Sequence, residues 1–96
     1  MSKRELIARN REAILALAKK HGAAELRLFG SIARGGQSAT SDIDFLVKME
    51  RGRSLLDRAS LAVALQDLLS CPVDVVNERG VKPRFLRAVE ADLVSV

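Results

Sequence analysis

Asp42 and Asp44 stand two residues apart in Ser41-Asp42-Ile43-Asp44-Phe45-Leu46-Val47, a run whose apolar alternation reads as a β-strand. On a strand that spacing sends both carboxylates out from one face, about 6–7 Å apart. A third acid, Asp74, sits mid-strand in Val73-Asp74-Val75-Val76, where a buried sheet face would carry an apolar residue. Crowded carboxylates repel one another and lose hydration unless a cation neutralises them. A hard divalent ion that takes oxygen ligands, Mg²⁺ above all, meets that need. Two such ions about 3.5–4 Å apart could be bridged by Asp42 and Asp44, with Asp74 holding one of them. That arrangement suits in-line transfer at phosphorus.

The other half of such chemistry lies just upstream. Gly30-Ser31 falls where a strand meets a helical turn, so free backbone N–H groups and the Ser31 hydroxyl can face an anion. Gly30 also removes the side chain that would block close approach of a phosphate. Each feature alone has an ordinary explanation: a turn, a solvated strand face, an edge-strand carboxylate. Their order, Gly-Ser, then Asp-x-Asp, then a strand Asp, is what gives them weight.

The elements that must hold these groups are legible in outline. Ser2 and Glu5 have the spacing of a capping box, which starts a helix near residue 3. Leu6, Ala13, Ile14, Leu17 and Ala18 continue it at helical spacing to a stop at His21-Gly22. His21 could be a catalytic base, but a positive charge at a helix C-terminus accounts for it more simply. Residues 25–29 then alternate as a first strand ending at Gly30, and residues 31–41 read as one helical turn followed by a flexible loop. The second strand spans 42–49, with Ile43, Phe45 and Val47 on one face and Asp42, Asp44 and Leu46 on the other. Ser54 caps a helix whose apolar stripe is Leu55, Leu61, Leu65, Leu68 and Leu69, stopped by Ser70-Cys71-Pro72. A third strand covers 73–77, and Pro83 opens a short last helix. The tail, residues 93–96, is either frayed or a short edge strand.

Composition bounds the rest. Ninety-six residues, 48% of them hydrophobic, suit a single domain over residues 1–96 of the α/β or α+β class. No segment has the length of a membrane span, and the polar start has no signal-peptide core, so a cytoplasmic protein is expected. One cysteine and one histidine can form neither an internal disulfide nor a zinc site. The net charge of +4 invites nucleic acid, a nucleotide or an acidic partner. Dedicated nucleic-acid binding is disfavoured: the chain has no Trp or Tyr, and Phe29, Phe45 and Phe85 each sit at an apolar position of an element, where a core role is expected rather than base stacking.

Leu28-Phe29-Gly30-Ser31-Ile32-Ala33-Arg34-Gly35 followed by Ser41 to Val47 resembles the signature of the polymerase-beta-type nucleotidyltransferase superfamily. More narrowly, the chain resembles its minimal nucleotidyltransferases (MNT), and the likeness runs on through Pro72 to Val76 and Arg79 to Pro83. The resemblance implies a mixed sheet of three to four strands with about four helices on one side, and nucleotidyl transfer from a nucleoside triphosphate, ATP above all, with two Mg²⁺ ions. It implies that Gly30 and Ser31 hold the triphosphate, that Asp42 and Asp44 bind both metals, and that Asp74 completes a metal site and helps deprotonate the acceptor hydroxyl. Arg34 would meet a phosphate or the acceptor, or form a surface ion pair. Ile32 departs from the pattern, standing where Arg is commoner. Larger relatives carry a further helical domain over the base and acceptor, so a partner chain or a homodimer is expected to supply those contacts. The resemblance implies a HEPN-type toxin as partner, with AMP added to one of its tyrosines and this chain as antitoxin. Two other readings stand beside it: an antitoxin that neutralises by binding alone, and a nucleotidyltransferase acting on a small molecule.

Overall fold

A computed structural model of the chain describes residues 2–33, 42–91 and 93–96. Ser2 opens α1 (Lys3–Arg9), its hydroxyl oxygen accepting the Glu5 N–H at 3.1 Å. The single helix expected as far as His21 is broken at Asn10. There the backbone leaves helical geometry (φ −105°, ψ 13°), and the side-chain amide donates to the Leu6 carbonyl at 2.8 Å. This is the local competition with helical bonding that Asn brings to a helix interior. The chain resumes as α2 (Arg11–Lys20) and stops where expected, with Gly22 at φ 85°. Ile7, Ile14 and Ala18 are buried, whereas Ala13, expected on the apolar face, is exposed.

Four strands make one mixed sheet: β1 (Ala23–Phe29), β2 (Ile43–Met49), β3 (Val73–Asn77) and β4 (Val94–Ser95), in the order β3-β2-β1-β4. β1 is antiparallel to both β2 and β4, and β3 is parallel to β2. The residue 93–96 tail is thus an edge strand. The parallel pair needs a crossover, which α4 (Leu55–Leu69) provides. Asp57 fixes its start by accepting the Ser54 N–H at 2.8 Å. That bond first, and the nearby Arg53 charge after it, holds the Asp57 carboxyl below its ordinary range. Its contribution is therefore present at neutral pH and lost as pH falls through the lowered value. A short α3 (Gly30–Ala33) follows β1, and α5 (Pro83–Glu90) follows a 3-10 turn at Glu78–Gly80.

Register decides which face is core. Leu28 lies opposite Phe45 and Leu26 opposite Val47, so these residues share one side with Ile43, Met49, Val73 and Val75. Ile14 and Ala18 of α2 and Leu61, Leu65 and Leu69 of α4 pack against that side. Leu55, expected in the same stripe, is instead 67% exposed, because it projects from a different side of α4. Helices do not keep to one side of the sheet. Phe29 pairs with Asp44 and so points to the opposite face, where Phe85 of α5 meets it edge-on at 5.7 Å between ring centroids. That arrangement is favourable for aromatic quadrupoles, and it brings α5 onto the carboxylate-bearing side.

Candidate active site

The acidic side of the sheet is built around Asp44. In the register, Asp44 faces Phe29 of β1 on one flank and Asp74 of β3 on the other. Adjacent strands are about 4.8 Å apart, so Asp44 and Asp74 are side-by-side neighbours on one face. Asp42 immediately precedes β2 rather than lying within it, and it is exposed. Asp74 is also exposed: it lies mid-strand in the edge strand β3 and points to the side opposite its buried neighbours Val73 and Val75. Asp44 alone of the three is half-buried. Burial chiefly, then the charges of Asp74 and Asp42, push its carboxyl above the ordinary range.

Gly30 completes the cradle. It adopts φ 78°, a conformation that L side chains rarely take, and begins α3 directly after β1. A Cβ placed on Gly30 would lie 2.5 Å from Oδ2 of Asp44. The carboxylate therefore rests over bare backbone, and no other residue type fits there without displacing it. α3 is held from below by Ile32, which is fully buried in the core, and from the side by Arg4, whose guanidinium donates to the Ala33 carbonyl at 3.2 Å. The Ile at position 32, a departure from the signature, thus serves as the anchor of the turn. The Ser31 side chain and Arg34 lie outside the described part of the structure.

Two features of this face had no clear signal in the sequence. Arg27, in register with Leu46, forms an ion pair with Glu78 at 3.2 Å and so ties β1 to the 3-10 turn across the Asp44 side. The Phe29–Phe85 contact places an aromatic pair beside Asp44, on the face where Leu46 is also buried. Alternation in β1 marks Arg27 and Phe29 as sharing a face, but only the fold reveals what meets them.

The donor set fits a hard cation. All three side chains offer carboxylate oxygens, and a divalent ion would offset both the burial and the neighbouring Asp74 and Asp42 charges that disfavour the ionised Asp44 carboxyl. Among the described residues, no three His, Cys, Asp or Glu side chains converge closely enough to form a ready-made coordination sphere. Asp42 and Asp74 each act on Asp44 without the three carboxylates being focused on one point. Triphosphate oxygens would complete such a sphere, as is usual for Mg²⁺ at phosphoryl sites.

A mixed sheet with paired acids beside a glycine turn defines a class, and comparison with known proteins agrees with it. Residues 11–95 match the nucleotidyltransferase domain, and the chain belongs to that family and is a nucleotidyltransferase. It shares 47% identity and a TM-score of 0.87 with the solved structure of a minimal nucleotidyltransferase, over 100% of this chain and 97% of that one. The protein adenylyltransferase MntA of Thermococcus cleftensis is 36% identical over 80 residues, covering 83% of this chain and 81% of that protein. A chain in the crystal structure of a toxin–antitoxin with AMP-PNP is 27% identical at a TM-score of 0.77, over 90% of this chain and 71% of that one. Among the described residues, no helix is long and apolar enough to cross a membrane.

Proposed function

We propose that this nucleotidyltransferase moves AMP from ATP to a tyrosine hydroxyl of a HEPN-type toxin, in the cytoplasm, and so acts as its antitoxin. The observation that carries the reading is the Asp44–Asp74 register pair with Gly30 pressed against Asp44. The similarity to the adenylyltransferase MntA and to a toxin–antitoxin structure containing AMP-PNP supports the nucleotide and the partner. Two Mg²⁺ ions, held by Asp42, Asp44 and Asp74, would supply charge neutralisation at the α-phosphate and the leaving pyrophosphate.

The residues have distinct tasks in this reading. The backbone N–H groups at Gly30 and Ser31 receive phosphate oxygens, and Arg34 adds a cation or meets the acceptor. Asp42 and Asp44 fix the position of the triphosphate through the charge they present. Asp74, at the open edge, accepts the proton of the tyrosine hydroxyl. The phenolic oxygen then bonds to the α-phosphorus, the bond from that phosphorus to the bridging oxygen breaks, and pyrophosphate departs with its electron pair.

The test uses ATP labelled at the α- or the γ-phosphate, incubated with Mg²⁺ and a co-expressed HEPN partner. Label from the α-position should appear on a partner tyrosine, and label from the γ-position should not. The readout is clean because this chain contains no Tyr. Absence of α-label on the partner, or transfer of γ-label, would overturn the reading. Neutralisation of the toxin without any label would point to binding alone.

Ligand binding should also be visible in a melt. At a hundredfold excess over Kd, Mg²⁺ with ATP adds about 2.7 kcal/mol, or about 11–22 °C in Tm for a domain of this size. EDTA should return the melt to its starting value. An unchanged Tm at millimolar Mg²⁺ and ATP would count against the nucleotide site.

A further inference from the structure

Apart from the His21 imidazole, the aromatic rings of this chain are its three Phe side chains. Phe45 is fully buried and Phe29 is 8% exposed, so neither ring is open to a ligand. Phe85, expected in the core with them, is only half-buried. It meets Phe29 edge-on, and it also lines an open concavity of about 520 Å³ with Gly80, Val81, Lys82, Arg84 and Ala88. Val81, Phe85 and Ala88 make that surface apolar, and Lys82 and Arg84 bring positive charge to it. Among the described residues no acid lines it.

Local bonds hold this ring beside the acids. Asn77 caps the 3-10 turn by accepting the Arg79 N–H at 3.3 Å, and the Arg79 guanidinium donates to the Met49 carbonyl at 3.1 Å. The Arg27–Glu78 pair clamps the same turn to β1. Pro83 then presets the first turn of α5, where the Phe85 N–H donates to the Lys82 carbonyl at 2.9 Å. Phe85 thus rests on Phe29, and Phe29 is the register partner of Asp44. Asp44 therefore has a carboxylate, Asp74, on one flank and the aromatic pair on the other.

We infer that the exposed side of Phe85 is the platform on which the base of the bound nucleoside triphosphate stacks. The inference rests on the nucleotidyl-transfer reading and adds a subsite to it. A nucleoside triphosphate has a planar, weakly polar end and a polyanionic end. With its phosphates at Gly30 and Asp44, the base must come down on one flank of Asp44 or the other. The Asp74 flank is acidic and open, which suits an acceptor hydroxyl. The Phe85 flank offers a π face, on which any base can stack. Lys82 and Arg84 beside it favour the approach of a polyanion. A partner is then required for the acceptor, and the base contact is made within this chain.

Calorimetric titration with ATP and with inorganic tripolyphosphate, each with Mg²⁺, separates the base from the phosphates. Phe85→Ala and Phe85→Leu should each weaken ATP at least about fivefold, the lower end of what a base–aromatic stack contributes. Neither should change the affinity for tripolyphosphate, which lacks a base. Phe85→Leu keeps an apolar footing on Phe29, and its unchanged tripolyphosphate binding would show that the fold and the acid face are intact. The chain has no Trp, so Phe85→Trp places a single fluorophore on the platform. ATP should quench its emission, and tripolyphosphate should leave it unaltered. Undiminished ATP affinity in Phe85→Leu, or an equal loss for both ligands, would overturn the inference while leaving the nucleotide site in place. A parent chain that binds neither ligand would overturn the nucleotidyl-transfer reading and this inference together.

Discussion

Replacing Asp42 and Asp44 together by Asn should abolish nucleotidyl transfer and leave the fold at least as stable as before. Loss of both carboxylates removes the negative charge that holds a divalent ion and positions the triphosphate. The expected fall in turnover is at least about 10³-fold, comparable to removing a principal electrostatic group from an active site. Stability should move the other way. Asp44 is half-buried and is pushed above its ordinary carboxyl range by burial, by Asp74 and by Asp42. Its ionised form is therefore a cost to the apoprotein at neutral pH, reduced by solvent screening. The sign follows from linkage: a carboxyl raised in the folded state favours folding below its ordinary value of 3.8, and that benefit fades as pH rises through the folded value. The Asn variant should accordingly gain on the parent between acid and neutral pH, measured by denaturant unfolding in EDTA. Inactivity accompanied by equal destabilisation would mark these residues as structural instead. Normal labelling of the partner by the double variant would dismiss the catalytic assignment altogether.

Gly30→Ala should damage both stability and activity, for a different reason. At φ 78° any L side chain is strained, and here the added methyl would also meet the Asp44 carboxylate 2.5 Å away. The backbone strain alone costs about 1–2 kcal/mol. Relief requires either α3 or Asp44 to shift, and each shift misplaces one half of the site. A displacement of about 1 Å at a reacting centre can cost about 10²-fold in rate. Gly80→Ala is the matched control, since a Cβ there meets nothing within 4 Å. Activity within twofold of the parent for Gly30→Ala would show that close approach at Gly30 is not needed.

The sequence made the chemistry more legible than the setting. Strand β3 falls at Val73–Asn77 as the pattern indicates, and the Gly30 stop and the Pro83 start are where local backbone preferences put them. These are properties of a few neighbouring residues. The failures are one local break and several longer-range facts. Asn10 ends α1 through one side-chain hydrogen bond, and hydrophobic periodicity on either side of it looks unbroken. Leu55 and Leu61 are both leucines on one helix, and only the angle of α4 to the sheet determines which is buried. That β3 is an edge strand, with Asp74 on its open face, follows from strand order, and order is not written in any strand's own residues. The contact of Phe85 with Phe29, which carries α5 to the acidic side, joins residues far apart in the chain. Ile32 is the clearest instance: an exception to the signature that becomes intelligible once its burial is known.

The mixed pairing of the sheet has a consequence for how the protein reaches its native state. β1 and β2 are antiparallel and joined by the shorter connection, whereas β2 and β3 are parallel and must await the passage of α4. Non-local pairings of this kind come late, because loop-closure entropy is spent before contacts repay it. Gly30 and Asp44 are thus brought together in the earlier hairpin, but Asp74 arrives with the last strand to dock on β2. Electrostatic repulsion between the acids consequently opposes the final docking step rather than collapse. Divalent ions or mildly acidic pH during refolding should speed that step while leaving the initial hairpin untouched.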